Sequence, residues 1–237
     1  MKVCPSSVPS GGKDGALPEP HRVALYYAPE ADDPLWQTGC AWLGWDPESG
    51  AVLAQPDHPD LRANTQDPRR YGFHATLKAP ITPRLGFEAL LQAATAFATR
   101  QRPFLLPQLA VTKLQGFLAL CPAEPSPALN RFAASCVMDL DKHRLPEDAA
   151  AQAKRAAGRT PRQVQNIKHW GYPLVLEDFR FHMTLTGQME NNPYVEAAIT
   201  HFAPALAQPR LVKSLALFIE DERGTPFRLL RRLPFAS

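Results

Sequence analysis

Polar and apolar residues alternate most sharply in two short runs. Residues 73–78 read Phe-His-Ala-Thr-Leu-Lys, and residues 181–186 read Phe-His-Met-Thr-Leu-Thr. Alternation over so short a run predicts a half-buried strand, because successive side chains leave opposite faces of the pleat. In the first run His74, Thr76 and Lys78 fall on one face and Phe73, Ala75 and Leu77 on the other. In the second, Arg180, His182, Thr184 and Thr186 share a face, backed by Phe179, Phe181, Met183 and Leu185. Each run is a strand with an apolar back and a front that carries His and Thr.

The remaining pattern supplies the surrounding elements. Arg22 to Ala28 reads as a strand ended by Pro29. Asp33-Pro34 opens a helix through Leu43, with Asp33 as the N-cap and Pro34 in the first helical position. Asp46 to Arg70 reads as loop, with a short helix near Asp57 to Asn64. The first motif strand covers Tyr71 to Ala79 and stops at Pro80. Phe87 to Thr99 is amphipathic, with Leu90, Leu91, Ala94 and Phe97 at helical spacing. Leu109 to Leu114 and Phe117 to Cys121 form strands about a Gln115-Gly116 turn. Pro127 to Leu140 and Pro146 to Ala157 read as helices, and Arg159 to Tyr172 as a basic, polar stretch. The second motif strand covers Phe179 to Thr186. A helix over Pro193 to Phe202, a strand over Leu211 to Glu220, a Glu222-Arg223-Gly224 turn and a strand over Phe227 to Leu233 complete the chain.

The order after each motif is the same: strand, helix, then two strands about a glycine turn. His74 to Gly116 and His182 to Gly224 are both 42 residues. The equal offset points to an internal duplication, at a period far too long for a solenoid repeat. The expected fold is therefore α+β, with two pseudo-symmetric lobes. Each would be an antiparallel sheet with helices on its outer face, and the groove between them would hold the site. Residues 21–237 would form this single two-lobed domain. Residues 1–20, rich in Ser, Gly and Pro with no apolar core, read as a disordered extension rather than a signal peptide.

Composition narrows the function classes. The 237 residues carry a net charge of +3, too mild on its own to argue for nucleic acid. The 25 prolines are about twice the usual share and predict long connections. Cys4, Cys40, Cys121 and Cys136 make neither a disulfide framework nor a zinc spacing, which suits a reduced, cytoplasmic protein. No apolar run is long enough to span a membrane.

Two strands that present His and Thr toward a common groove suggest acid–base chemistry. One imidazole can take a proton from a nucleophile while the other protonates the leaving group. Thr76 and Thr184 can donate hydroxyl hydrogen bonds to an anion held between them. The set suits attack on a phosphodiester without a metal or other cofactor. No carboxylate or Cys is placed near either motif to complete a metal-ligand set. Lys78 and Arg180, on the same faces, would add positive charge, although each is equally a solvated sheet residue. A single His-x-Thr triplet is a weak signal. Two copies, each preceded by Phe, followed by Leu and placed alike in a repeat, make a strong one. Of Tyr26 and Tyr27 on the first strand, one is expected to line the groove, and Tyr27 is taken as the substrate-binding candidate; the alternative is a core tyrosine. Trp170-Gly171-Tyr172 is either a stacking turn or a packed loop. His21, His58, His143, His169 and His201 have no repeated context and receive no role.

The paired motifs resemble those of the 2H phosphoesterase superfamily, whose members carry two His-x-Thr/Ser motifs on a duplicated, two-lobed fold. More closely, Tyr26-Tyr27-Ala28-Pro29, Gly72 to Pro80, Trp170-Gly171-Tyr172-Pro173 and Phe179 to Gly187 are similar to a bacterial branch linked with carbon–phosphorus lyase genes and phosphonate metabolism. The resemblance covers most of the chain after residue 21. It implies that His74 and His182 are the catalytic pair and that Thr76 and Thr184 bind phosphate. It also implies a substrate class: the ribosyl cyclic phosphate of phosphonate breakdown, or an RNA end with a 2′,3′-cyclic phosphate. The mild charge favours a small phosphorylated sugar or nucleotide, while a basic lid over the groove from Arg159 to Lys168 would favour RNA. The competing readings are a phosphate- or RNA-end-binding module without chemistry, and an RNA ligase-like activity that runs the reaction in reverse.

Overall fold

The computed structural model describes residues 19–236. Of the expected extension over 1–20, only Glu19 and Pro20 lie within the described residues. Both Glu19 carboxylate oxygens accept the Phe87 N–H at 3.0 Å. They cap a helix whose own N-cap residue, Gly86, has no side chain to do so.

In chain order the elements are β1 (Arg22–Tyr27), α1 (Pro34–Leu43), α2 (Leu61–Asn64), α3 (Gln66–Tyr71), β2 (Ala75–Ile81), α4 (Phe87–Ala98), β3 (Phe104–Leu106), β4 (Leu109–Leu114), β5 (Phe117–Pro122), α5 (Pro127–Leu140), α6 (Ala149–Ala156), α7 (Pro161–Trp170), β6 (Met183–Thr184), α8 (Val195–Leu206), β7 (Arg210–Val212), β8 (Ser214–Glu220) and β9 (Arg228–Pro234). The fold is α+β, as the pattern predicts. Seven strands make one antiparallel sheet in the order β4-β5-β6-β2-β1-β8-β9, and β3 and β7 pair separately.

The sheet joins the two halves more intimately than two lobes facing across a groove. The motif strands β2 and β6 are neighbours, paired at Ala75 and Met183. The hairpins are also exchanged. The β4–β5 hairpin that follows the first motif pairs with β6 of the second, and the β8–β9 hairpin that follows the second motif extends the β1–β2 pair. The glycine turns keep the repeat's symmetry, with Gly116 at φ 95° and Gly224 at φ 94°, a region open to glycine and strained for other residues.

Three local departures from the sequence pattern matter for the site. First, β2 bulges. Tyr26 pairs with Thr76, but the next residue of β1, Leu25, pairs with Lys78. Paired residues of an antiparallel ladder share a face, so Lys78 turns away from His74 and Thr76. A second irregularity before the Val23–Ile81 pair accommodates Pro80, which was expected to end the strand. Second, the motif strand expected over Phe179 to Thr186 is regular only at Met183 and Thr184. A 3-10 turn at Leu176–Asp178 precedes it, and Leu176 has φ 54°. Third, the basic stretch contains a helix, α7. Thr160 and Gln163 form a reciprocal capping box and Pro161 occupies the first turn.

The apolar backs of both motifs anchor the core. Phe73 is fully buried and packs against Gly39 of α1, where a Cβ would lie 2.2 Å from its ring, and stacks on Phe202 of α8 at 6.1 Å. The Trp42 indole donates to the Leu185 carbonyl at 2.9 Å and ties α1 to the second motif. Ala75, Met183 and Leu185 are also fully buried. With their backs fixed, the motif strands have only the opposite face on which to present His and Thr.

Candidate active site

The Ala75–Met183 pair is the centre of a local two-fold arrangement. In an antiparallel register the flanking residues follow directly: His74 falls beside Thr184, and Thr76 beside His182. Cross-strand neighbours on one face are about 5 Å apart at Cβ. Each motif's His is thus beside the other motif's Thr. The imidazoles are diagonal on one sheet face, rather than opposed across two sheets.

Both rings are oriented in the same way. His74 Nδ1 lies 2.9 Å from the Gly72 carbonyl, and His182 Nδ1 lies 2.7 Å from the Arg180 carbonyl. A carbonyl only accepts, so each Nδ1 carries the proton and each Nε2 is left with its lone pair in the neutral ring. His74 Nε2 is 3.2 Å from the Thr76 hydroxyl. Its ring stacks on Tyr26 at 3.7 Å, with Phe218 beyond at 6.1 Å. Burial pushes the His74 imidazole down to about 4; the Gly72 hydrogen bond opposes this and the nearby His182 adds to it. At neutral pH His74 is therefore uncharged and ready to accept a proton. His182 rests near Phe117, with ring centroids 5.8 Å apart.

A cleft of about 280 Å³ opens over this face. Its walls include His74, Thr184, Tyr71 and Phe117, with Asp67 from α3 and Gln188 from the loop after β6. Asp67 is a carboxylate that sequence proximity to the motifs does not reveal. Among the described residues, no group of three or more His, Cys, Asp or Glu is gathered as a metal-ligand set. No helix among them is long and apolar enough to cross a membrane.

The remaining sequence candidates fall elsewhere. The Lys78 ammonium is buried beneath α5, donating to Asp141 at 3.0 Å and to the Val137 carbonyl at 3.2 Å. Asp141 also receives two hydrogen bonds from Arg144. Arg180 is exposed and donates to the Phe179 and Glu177 carbonyls, at 2.7 and 3.2 Å. Tyr27 is buried against Phe181 at 5.6 Å, and burial raises its phenol well above the usual value. Its neighbour Tyr26 is the tyrosine that meets His74. Alternation along β1 separates the two, and the pairing of Tyr26 with Thr76 assigns Tyr26 to the site face. Tyr71, Phe117 and Asp67 carry no such mark, because they arrive from other elements. Thr186 on the cleft wall is committed to structure: it accepts from the Leu118 N–H and Asn192 and donates to the Gly187 carbonyl.

The chain is similar to several known proteins. It is 39% identical over 231 residues to a protein of Janthinobacterium sp. (strain Marseille) named ribose 1,5-bisphosphate phosphokinase PhnN, a match covering 91% of this chain and 51% of that one. It is 36% identical over 222 residues to the protein of the same name from Laribacter hongkongensis (strain HLHK9), covering 89% and 51%. The chain thus spans about half the length of the curated relatives it matches. Among solved structures, E. coli LigT in apo form aligns over 92% of this chain and 99% of that one, at 17% identity and a TM-score of 0.45. A structure described as a phosphoesterase covers 92% and 100%, at 15% identity and a TM-score of 0.44. Residues 76–228, from Thr76 of the first motif through the whole of the second, match the family described as "Protein of unknown function (DUF1045)", and the chain belongs to that family.

Proposed function

We propose that the chain is a phosphoesterase that opens a cyclic phosphodiester on a small phosphorylated sugar, with His74 and His182 as the acid–base pair. The observation that carries this reading is the two-fold arrangement about Ala75 and Met183, with each imidazole held by a backbone carbonyl two residues earlier. His74, uncharged at neutral pH, takes a proton from water at Nε2. The water oxygen attacks phosphorus. The bond from phosphorus to the leaving ring oxygen breaks, and that oxygen takes a proton from the His182 imidazolium. Thr184 donates to one non-bridging oxygen, and the Thr76 hydroxyl, which rests on His74 Nε2 without substrate, turns to the other and frees Nε2. Proton exchange with solvent restores both rings.

The relatives' name concerns a phosphorylated ribose, which supports a sugar phosphate over RNA. The phosphate-cradling run Gly-x-x-x-x-Gly-Lys-Ser/Thr does not occur in this sequence, so the kinase chemistry in that name is not the reading taken for this chain. The test is turnover of ribosyl 1,2-cyclic phosphate and of 2′,3′-cyclic nucleotides in the presence of chelator. Opening of either, lost in the His74→Ala, His182→Ala double variant, supports the proposal. No opening of any cyclic phosphodiester refutes it. Saturable binding without product would instead favour a binding module, and joining to a 5′-hydroxyl partner a ligase.

A further inference from the structure

A second cleft, of about 320 Å³, is lined by Trp45, Arg62, Gln66, Arg69, Arg70 and Pro226. It shares no lining residue with the His74 cleft. The six-residue helix α3 contributes to both: Asp67, Pro68 and Tyr71 border the His74 cleft, while Gln66, Arg69 and Arg70 border the second.

Three guanidinium groups on the wall of one small cleft need an explanation. Arg70 is partly committed, donating from Nη2 to Glu220 at 2.8 Å. Among the described residues, the side chains of Arg62 and Arg69 have no hydrogen-bond or ion-pair partner. Arg69 loses proton affinity to burial and then to the neighbouring positive charge of Arg62. Unpaired like charges on one wall repel. Two N–H groups of residues that border the cleft, Trp45 Nε1 and Arg70 Nε, are buried without an acceptor. Buried donors without acceptors are uncommon in folded proteins and costly. Net positive charge and unpaired planar guanidinium forks therefore meet in one cavity. A multiply charged oxyanion would answer both, since the arginine fork matches phosphate oxygens two at a time.

We propose that this cleft is a phosphate-binding site, separate from the His74 cleft, that takes the phosphate group of a small phosphorylated molecule. Arg62 and Arg69 supply the charge and the guanidinium forks, and Trp45 and Arg70 border the site. The site stands independently of the catalytic reading, because none of its residues belongs to the His-x-Thr machinery.

Calorimetric titration with inorganic pyrophosphate at low ionic strength tests it. The His74→Ala, His182→Ala double variant should bind with undiminished affinity. The Arg62→Gln, Arg69→Gln double variant should bind at least about tenfold more weakly, and without ligand it should melt no lower than the parent, since it relieves repulsion. An Arg62→Lys, Arg69→Lys variant keeps the charge and removes the fork, and should lose part of the affinity, which decides the matter should the Gln variant fail to fold. Absence of saturable binding overturns the proposal. So does binding that survives both arginine variants unchanged, or that disappears in the histidine variant.

Discussion

Ala75 faces Met183 across the seam between the two motif strands, and this pair sets His74 beside Thr184 and Thr76 beside His182. The two motifs therefore lie together in one cluster rather than as two separate triplets. On the acid–base reading, His74→Ala and His182→Ala should each lower kcat for a cyclic phosphodiester by at least about 10²-fold. The double variant should fall little further, because groups that act in one step are not additive. Thr76→Val and Thr184→Val each remove a hydrogen bond to a charged oxygen, worth about 1.5–3 kcal/mol, and should cost about tenfold or more in kcat/KM. Steady-state kinetics on the four single variants and the histidine double checks this.

Lys78 gives the opposite expectation. Strict alternation aims it at the site, but the bulge delivers it to Asp141 beneath α5. Lys78→Met keeps most of the buried volume, and Asp141 retains its two hydrogen bonds from Arg144. The variant should keep its kcat and its affinity for substrate. Lys78→Ala should unfold at lower denaturant, by about 2–4 kcal/mol, through the cavity it leaves and the weakened charge network. Denaturant titration beside steady-state kinetics separates the two roles.

This bulge shows where sequence reading ends. His74, Thr76, His182 and Thr184 are legible because a two-residue period is local and occurs twice. The fold class and the glycine turns are legible for the same reason. A bulge shifts register by one residue according to a partner strand 50 residues away, and no pattern within residues 73–81 records it. The exchange of hairpins is hidden likewise, since each β-hairpin reads the same whichever motif strand it meets. Asp67, Tyr71 and Phe117 reach the cleft from α3 and β5, and only tertiary packing unites them. Helix α7 is the instructive exception. Its Thr160-Pro161-x-Gln163 start is a capping signature present in the sequence, masked by the basic character of the residues that follow.

Gly39 should be a sensitive position although it lies far along the chain from either motif. An added Cβ would sit 2.2 Å from the Phe73 ring, closer than atoms can approach. Phe73 is fully buried between α1 and α8 and immediately precedes His74. Gly39→Ala must therefore displace the ring, the helix or both, at about 1–3 kcal/mol for overpacking. Because Phe73 fixes the back of the strand, the variant should also lose kcat while still folded. A Gly39→Ala, Phe73→Leu double variant, which makes room for the methyl group, should recover part of the stability. Melting temperatures and kcat for the three proteins decide it.

Two buried groups with opposite chemistry each contribute to the pH dependence of stability. His74 ionises at about 4 in the folded chain, well under its ordinary value of 6.5, chiefly because burial disfavours the imidazolium. Between these two values the unfolded chain binds the extra proton and the folded chain does not. Stability from this group is therefore complete above about pH 6.5 and declines as pH falls, the loss ending near pH 4, at most about 3 kcal/mol in all. Glu220 behaves as a carboxylate held down. Burial alone would raise it, but hydrogen bonds from Arg22, the Gly224 N–H and Arg70 bring it to about 2, from an ordinary 4.5. Its contribution is present above about pH 4.5 and is lost as pH falls toward 2. Acid unfolding should thus proceed in two windows. His74→Phe preserves the aromatic stack on Tyr26 but cannot take up a proton. It should shrink the loss in the upper window, between pH 6.5 and 4, to the part left to His143, which burial also lowers, and leave the lower one intact. Glu220→Gln should do the reverse. Denaturant midpoints measured for the parent and both variants between pH 8 and 2 test the assignment, and an unchanged upper window in His74→Phe would refute it.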